Sequence, residues 1–285
     1  MNHLLLKKQL QEFLIEDIGT GDLSVSFFDD ETEVTAAIIA KENGVFAGQQ
    51  VLHLGYELID IDIKTEIFVK DGDLIEAGMK LAEIQGKRKS ILSGERVILN
   101  LLQRLSGIAT ITNKAVKLAE GRTRICDTRK TTPGLRMLEK YAVHCGGGYN
   151  HRFGLYDSVM LKENHLAGFS SITEALSKAR EKFGHTIKIE IETETEEQVI
   201  EAANAGADII MFDNCTPEEI KHRLTHVPPA IITEASGGIT LETIDEYSRT
   251  GVQYLSLGFL THSYQALDIS LIVKGAVKHD YSRNI

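Results

Sequence analysis

The sequence predicts an α/β protein with a small N-terminal α+β domain and a C-terminal (β/α) barrel-like domain of about six parallel strands. From residue 123 onward, apolar strand-like runs alternate with helical segments, and this alternation implies parallel strands joined by crossover helices. Between residues 34 and 86, short β-like runs are instead separated by Gly/Asp turns, as in an antiparallel sheet. An open doubly wound sheet would also hold six strands. We favour a barrel because no GxGxxG motif follows the first strand and polar residues follow nearly every strand.

The N-terminal part begins with a helical pattern over residues 4–16. A much longer helical pattern over residues 89–119 connects the two domains, and Gly107 is expected to mark a break within it. We therefore expect domains at 1–108 and 109–264, with a C-terminal helix at 265–285 that packs back on the first domain.

The C-terminal part contains six predicted strands, each followed by a predicted helix or a loop. The strands are expected at 123–128, 158–164, 187–193, 208–214, 230–238 and 254–258, and the helices at 133–143, 171–183, 195–205, 217–223 and 241–249. Thr132 and Pro133 are predicted to start the first of these helices as N-cap and first helical residue, because Pro is tolerated at that position.

Composition limits the possible function. The chain has 285 residues and a formal net charge of −10, which argues against nucleic-acid binding because phosphate neutralisation needs a basic face. Its three cysteines form no CxxC pair, so a reducing, cytoplasmic setting is expected. No apolar run approaches the roughly 18 residues that span a bilayer.

Basic side chains follow the predicted strands. In a parallel barrel the carboxyl ends of the strands share one rim, so these side chains are expected to lie together. Two like charges ~4 Å apart interact by about 4 kcal/mol at an effective dielectric of 20, so the cluster would favour a ligand with several negative charges. The four cations of this set are Arg129, Lys130, Arg152 and Lys162, and His151 accompanies them.

Two glycine-containing turns follow the last two strands, Ser236-Gly237-Gly238 and Ser256-Leu257-Gly258. The corresponding loops of barrels commonly hold a phosphate with backbone amides at helix N-termini, and glycine permits a close approach. Either turn alone would be ordinary, but their occurrence after consecutive late strands predicts a phosphate site.

Two carboxylates, Glu192 and Asp213, end the third and fourth predicted strands. They could hold Mg²⁺, which takes one or two protein carboxylates together with waters and substrate oxygens. They could also stabilise positive charge on a reacting carbon, or form ion pairs with the nearby lysines. His165, which follows the second strand, is expected to contact backbone and to be structural.

Several longer motifs together resemble the quinolinate phosphoribosyltransferase family, also called nicotinate-nucleotide pyrophosphorylase (carboxylating). They are DTRKTTPGLR, CGGGYNHRFGLYDSVMLKENH, the EIE strand, FDN, EASGGI and LSLG, with EDIGTGDLS and GERVILNLLQRLSGIAT upstream. The resemblance covers essentially the whole chain in the expected order, and no departure is found at these positions.

The resemblance implies transfer of a phosphoribosyl group from phosphoribosyl pyrophosphate to the nitrogen of quinolinate, with loss of CO₂ and pyrophosphate, for NAD synthesis. It also implies Mg²⁺, at least a homodimer, and an arginine, Arg104, that enters the site of the neighbouring subunit. The chemistry is assigned to Lys130, Lys162, Glu192 and Asp213. Substrate binding is assigned to Arg104, Arg129, Lys130, Thr131, His151, Arg152, Lys162, Glu192, Asp213, Ser236, Gly237, Gly238, Ser256, Leu257 and Gly258, and metal binding to Glu192 and Asp213.

Three other functions remain open from the sequence. A paralogue with the same fold could use another acid, such as nicotinate, or resemble the proteins found with molybdate transport. A barrel that forms a Schiff base would use Lys162 as nucleophile, which requires an apolar pocket. A non-catalytic sensor of phosphosugars would explain the glycine turns but not the carboxylates.

Overall fold

A computed structural model describes residues 1–27 and 32–274. The chain forms two compact units. One contains Met1–Thr110 together with the segment from Gln265 onward, and the other contains Ile111–Tyr264. The division lies two residues after the expected boundary, within a long helix.

The elements follow one another in the expected order. The first part of the chain forms α1 (His3–Ile18), β1 (Glu33–Ala40), β2 (Gly44–Val45), α2 (Gln49–Ile59), β3 (Lys64–Ile67), β4 (Leu74–Ile75), β5 (Lys80–Lys87) and α3 (Arg88–Ala119). The second part forms β6 (Arg124–Cys126), α4 (Arg136–Cys145), β7 (Val159–Leu161), α5 (Glu163–Leu166), α6 (Ile172–Lys182), β8 (Ile189–Thr193), α7 (Glu196–Asn204), β9 (Ile209–Asp213), α8 (Pro217–Leu224), β10 (Ile232–Ser236), α9 (Ile244–Ser248), β11 (Tyr254–Ser256) and α10 (Phe259–His262), and β12 (Ile269–Val273) follows.

The N-terminal unit is built on a four-stranded antiparallel sheet of order β12-β1-β5-β3. Its core contains fully buried aromatic and aliphatic side chains, among them Phe46, Leu52, Tyr56, Ile84 and Ile98. Apolar side chains on one face of a sheet are removed from water only when a second layer of structure packs against that face. The expected α+β domain with an antiparallel sheet is therefore present.

Two expectations for this unit are wrong. The helix expected at 265–285 is not found in the described part of that range, because residues 269–273 form β12, which pairs antiparallel with β1. Residues 275–285 lie outside the described residues. The break expected at Gly107 is also absent, since α3 runs through it. A Cβ there would overlap the carbonyl oxygen of Gln265 and lie 3.0 Å from Cα of Ala266, so the glycine serves a close backbone approach.

The C-terminal unit contains six parallel strands in the order β6-β11-β10-β9-β8-β7. Strands β7 to β11 are neighbours in sequence order, and the last of them pairs with the first strand of the unit, β6, as the ring of a barrel requires. Within the described residues β6 and β7 share no ladder, and Tyr149 instead makes a single parallel bridge with Cys126. The predicted six-stranded, barrel-like arrangement is confirmed.

The strand register brings the strand ends to one edge. Cys126, Ser256, Ser236 and Asp213 lie opposite one another across β6, β11, β10 and β9. One row further in, Glu192, Met211 and Glu234 are likewise aligned across β8, β9 and β10. Because side chains alternate along a strand, Glu190 and Glu192, which are two residues apart on β8, lie on the same face of the sheet.

Three helices of this unit begin at a residue whose side chain caps them, namely α6 at Ser171, α7 at Thr195 and α8 at Thr216. Thr195 accepts a hydrogen bond from the backbone N–H of Gln198, and Thr216 caps α8 ahead of Pro217. The start expected at Thr132 and Pro133 is wrong, because α4 begins at Arg136. The Thr132 carbonyl accepts from Leu135 N–H at 3.0 Å, which forms a turn before the helix.

Candidate active site

One cavity of about 920 Å³ opens at the carboxyl ends of the six parallel strands, and its lining residues all belong to the C-terminal unit. Thirteen of the residues predicted from the sequence line this cavity: Arg129, Lys130, His151, Arg152, Lys162, Glu192, Asp213, Ser236, Gly237, Gly238, Ser256, Leu257 and Gly258. Segments far apart in sequence are thus brought to one opening.

Two predicted site residues do not line the cavity. Thr131 is half-buried, and its hydroxyl oxygen accepts a hydrogen bond from Nε of Arg136 at 3.0 Å, so it holds the start of α4. Arg104 is half-buried on α3 and belongs to the N-terminal unit.

The adjacent cations Arg129 and Lys130 follow β6 in a tight turn. The Lys130 N–H donates to Oγ1 of Thr128 at 3.0 Å, and the Thr131 N–H donates to the Arg129 carbonyl at 2.8 Å. The Lys130 carbonyl in turn accepts from Oγ1 of Thr261 at 2.8 Å. These bonds fix the backbone of the turn and leave both charged side chains exposed at the cavity.

A fully buried ion pair between Asp127 and Lys140 anchors the loop that carries His151. The Asp127 carboxylate also accepts from the His151 N–H at 2.9 Å and from Nδ2 of Asn150 at 2.6 Å, and Lys140 Nζ donates to the His151 carbonyl at 3.0 Å. Burial raises the pKa of Asp127 and lowers that of Lys140, in each case against the opposing effect of the partner's charge.

The His151 ring lies between two buried carboxylates. Its Nε2 is 3.2 Å from Oε2 of Glu190 and 3.5 Å from Oε1 of Glu234. Burial lowers the pKa of His151. The hydrogen bond to Glu190 and the charges of both carboxylates together raise it by more than burial lowers it, so the net shift of the pKa is upward. Nδ1 accepts from the Arg152 N–H at 2.8 Å, which places the ring proton of this geometry on Nε2, facing the carboxylates.

Glu234 is the most strongly perturbed acid of the site. Burial and the nearby charge of Glu190 raise its pKa to about 7, while His151 and a hydrogen bond from Ser256 oppose this rise. Neither Glu190 nor Glu234 was assigned a site role from the sequence. The available signal for both was a carboxylate in the interior of a predicted strand, because such a residue is rarely buried without a partner.

The two arginines of the cavity are close enough to affect each other. Burial lowers the pKa of Arg152, and the positive charge of Arg129 lowers it further. Nη1 of Arg152 donates to the carbonyl of Ser158 at 3.1 Å, which holds the guanidinium at the cavity wall. This arrangement supports the electrostatic expectation that an anionic ligand would relieve repulsion between cations.

The acids of β8 and β9 lie beside a lysine. Lys162 Nζ forms an ion pair with Glu192, so the ion pair considered from the sequence is present. Burial raises the pKa of Asp213, and the charge of Glu192 raises it further, whereas Lys162 and Lys130 lower it. Positive and negative groups therefore face the same cavity, and the arrangement can stabilise opposite charges on the two ends of a breaking bond.

The first glycine turn has a backbone that only glycine adopts easily. Gly237 and Gly238 have φ of 90° and 67°, and a Cβ on Gly237 would overlap the side-chain amide of Asn214 and lie 2.8 Å from its backbone nitrogen. Asn214 also has a positive φ, 52°, and donates from its N–H to the carbonyl of Ser236 at 2.9 Å. The ends of β9 and β10 are thereby held together beneath the cavity.

The expectation that both turns stand at helix N-termini is only partly correct. The turn after β10 is separated from the next helix, α9, which begins at Ile244. Gly258 does precede a helix directly, as the N-cap of the four-residue α10. His165, which was expected to contact backbone, accepts a hydrogen bond from the Lys162 N–H at 3.1 Å.

Comparison with known proteins identifies the family. The models of the quinolinate phosphoribosyl transferase N-terminal and C-terminal domains match residues 17–106 and 108–272. The chain belongs to the quinolinate phosphoribosyltransferase family. The "Probable nicotinate-nucleotide pyrophosphorylase [carboxylating]" of Bacillus subtilis (strain 168) is 56% identical over 274 residues, which cover 96% of this chain and 95% of that protein.

Solved structures of the family have the same fold. "NadC" from Streptococcus pyogenes superposes with a TM-score of 0.93 at 40% identity and covers 95% of this chain and 97% of that one. The "nicotinate-nucleotide pyrophosphorylase from Francisella tularensis" superposes with a TM-score of 0.92 at 36% identity, over 96% and 98%. In the part of this family member that the structure describes, no helix is long and apolar enough to cross a membrane.

Proposed function

We propose that the chain transfers a phosphoribosyl group from phosphoribosyl pyrophosphate to the ring nitrogen of quinolinate. Loss of CO₂ and pyrophosphate then yields nicotinate mononucleotide for de novo NAD biosynthesis. Membership of the family and the relatives that bear this activity in their names support the reaction. The observation in this molecule that carries it is the gathering of cations, carboxylates and glycine turns from six strand ends at one cavity.

The cationic groups of the cavity suit an acceptor with two carboxylates. Arginine offers a planar fork for a carboxylate, whereas lysine offers a point charge. Arg129, His151, Arg152 and Lys162 all line the cavity. We assign them to the two carboxylates of quinolinate, and we place Lys130 on the pyrophosphate side.

The carboxylates of the cavity suit the sugar. Breaking the bond between ribose C1 and pyrophosphate builds positive charge on the ribose, and the carboxylates of Glu192 and Asp213 can stabilise that charge. The glycine turns after β10 and β11 offer backbone amides to the 5′-phosphate. The pyridine nitrogen attacks C1 as the bond from C1 to pyrophosphate breaks and pyrophosphate takes its electron pair. The carboxylate next to the now cationic nitrogen then leaves as CO₂, and the ring carbon that keeps the electron pair takes a proton from water. No covalent enzyme intermediate is needed, so positioning and electrostatics supply most of the rate.

Mg²⁺ fits this site through the same two carboxylates. The charge of Glu192 contributes to the raised pKa of Asp213, so the two acids repel each other, and a cation between them would relieve that repulsion. Bound there with substrate oxygens, Mg²⁺ would neutralise charge on the pyrophosphate. Lys162 would then exchange its ion pair with Glu192 for contacts with the substrate.

We further propose a homodimer in which Arg104 reaches the cavity of the neighbouring subunit. The cavity is lined by residues between 128 and 262, and Arg104 lies outside that range. The family resemblance of the helix that carries it, GERVILNLLQRLSGIAT, supports this role.

Acceptor specificity is the decisive test. The purified chain should convert quinolinate with phosphoribosyl pyrophosphate and Mg²⁺ and should release CO₂ in a 1:1 ratio with nicotinate mononucleotide. Nicotinate, which lacks one carboxylate, should react far more slowly under the same conditions. Faster conversion of nicotinate would contradict the two-carboxylate assignment and favour a paralogous activity. The Schiff-base alternative is disfavoured because Lys162 stands in an ion pair and not in an apolar pocket.

A further inference from the structure

A group of three metal-ligating side chains lies outside the active-site cavity, on the surface formed by α7 and α8. Nε2 of His222 is 3.1 Å from Oε2 of Glu196, and Nε2 of His226 is 2.9 Å from Oε1 of the same carboxylate. The three donor atoms all lie within 4.8 Å of one another. None of these residues lines the cavity or has a part in the proposed reaction.

We propose that Glu196, His222 and His226 form a binding site for a divalent transition-metal ion of the Zn²⁺ class. Two imidazole nitrogens and one carboxylate oxygen are a donor set that such ions accept, with a fourth position left for water. Imidazole suits Zn²⁺, Cu²⁺ and Ni²⁺, whereas Mg²⁺ prefers oxygen ligands. The ligand chemistry therefore separates this site from the two carboxylates of the cavity.

The geometry is close to what the ion requires. Metal–nitrogen and metal–oxygen bonds of ~2.1 Å at tetrahedral angles place donor atoms about 3.4 Å apart. The two nitrogen–oxygen distances, 3.1 and 2.9 Å, run to different oxygens of the Glu196 carboxylate and are each within about 0.5 Å of that value. His222 lies in the last turn of α8 and His226 lies two residues beyond its end at Leu224, and their rings stand at 88° with centroids 5.8 Å apart. All three side chains are at least one-third exposed, which allows the small rotations needed.

The backbone beneath the carboxylate is already held against α8. Arg223 Nη1 donates to the carbonyl of Glu194 at 2.9 Å, and Thr195 caps α7 so that Glu196 is its first residue. The charge of Arg223 is directed at the Glu194 carbonyl, Cys215 and Glu219, not at the three ligands. Because Glu196 starts α7, His222 lies in the last turn of α8 and His226 follows that helix, a bound ion would fasten the start of α7 to the C-terminal end of α8.

Calorimetric titration of the chain of residues 1–285 with ZnCl₂, in a buffer with millimolar Mg²⁺ to occupy oxygen sites, tests the proposal. The wild type should bind Zn²⁺ tightly at this site, and His222→Ala, His226→Ala and Glu196→Gln should each weaken that binding at least about tenfold, the scale seen when metal-site partners are removed. His185→Ala removes an exposed histidine of the same unit outside the cluster and serves as the matched control. It should bind Zn²⁺ like the wild type.

Two further readouts separate binding from folding. Added Zn²⁺ should raise the thermal midpoint of the wild type and of His185→Ala, but not that of the three ligand variants, because only a bound native state is stabilised. Without metal, the variants should unfold close to the wild type, since these positions are exposed. Equal Zn²⁺ affinity in the ligand variants and the wild type, or no binding by the wild type, would overturn the proposal without affecting the phosphoribosyl transfer assay.

Discussion

Asp127 and Lys140 form an ion pair in which both side chains are fully buried, and this pair also holds the backbone on either side of the His151 ring. Removing one member leaves the other charge without compensation. We expect Lys140→Met to lower the free energy of unfolding by about 3–5 kcal/mol, measured by urea denaturation. The control is Lys188→Met, which breaks an exposed pair with Asp208 and should cost less than about 1 kcal/mol. Equal losses in both variants would contradict the role of burial.

Arg129 tests the anion clamp. Truncation to Ala should weaken quinolinate binding by roughly 1.5–3 kcal/mol, the scale of a hydrogen bond to a charged group. Isothermal titration with quinolinate measures this loss. Arg249→Ala, which removes an exposed arginine paired with Asp245, is the control and should bind like the wild type. If Arg129→Ala bound quinolinate with wild-type affinity, the assignment of this residue to the acceptor would be wrong.

The two glycines after β10 form a matched pair. Both have positive φ, so an alanine at either position is strained, but only a Cβ on Gly237 meets a neighbour, whereas Gly238 has open space. Gly237→Ala should therefore lose more stability, and more affinity for phosphoribosyl pyrophosphate, than Gly238→Ala. Thermal unfolding and substrate titration compare the two. A larger loss in Gly238→Ala would indicate that the overlap with Asn214 is not the limiting contact.

Glu234 should make stability depend on pH. Its pKa is raised to about 7 in the folded protein, so the native state binds this proton more tightly than the unfolded chain does. The resulting stabilisation is fully present below about pH 4.5 and is lost as pH rises through about 7. Relative to Glu234→Gln, the wild type should therefore lose stability between pH 5 and pH 8. One pKa unit corresponds to about 1.4 kcal/mol, so we expect a change above ~1 kcal/mol in urea denaturation.

The groups that face this carboxyl are Glu190, His151, Asp127 and Ser256. The pKa of His151 is raised as well. The stabilisation that this histidine contributes is likewise lost as the pH rises through its pKa in the folded protein. The two effects therefore have the same sign. A pH-independent difference between wild type and Glu234→Gln would contradict the prediction.

Arg104 is tested by subunit mixing. Arg104→Ala and Arg129→Ala should each be nearly inactive alone, because each would damage every site of its own homodimer. Mixed dimers should regain activity, since one of the two sites would then have both arginines intact. The measurement is phosphoribosyl transfer after the two variants are unfolded together and refolded. Absence of rescue in confirmed mixed dimers would place Arg104 in the site of its own subunit.

The residues at the carboxyl ends of the parallel strands could be predicted from the sequence because their position follows from the topology alone. Once β and α elements alternate, the carboxyl ends of parallel strands must meet, and residues such as Lys162 and Asp213 follow from their position at a strand end. Glu190 and Glu234 could not be assigned to the site from the sequence because each lies within its strand. Only the packing of neighbouring strands shows that His151 lies between them.

Local signals failed where a contact beyond the first helical turn decides the conformation. Thr132 and Pro133 have the residue types of a helix start, yet the Thr132 N–H donates to Glu139 Oε2 at 3.1 Å and the helix begins three residues later than Pro133. Gly107 looks like a helix break, but it is retained inside α3 because the chain near Gln265 passes against it. Neither partner is adjacent in sequence, so neither could be inferred from a short window.

The pairing of β12 with β1 has a consequence for biosynthesis. A ribosome releases the N-terminal strands long before it releases residues 269–273, and the whole C-terminal unit is translated in between. The antiparallel sheet consequently stays incomplete until residues 269–273 have emerged, and β1 presents an unpaired backbone edge during that interval. A gene fragment that ends after residue 110 would make that transient state permanent.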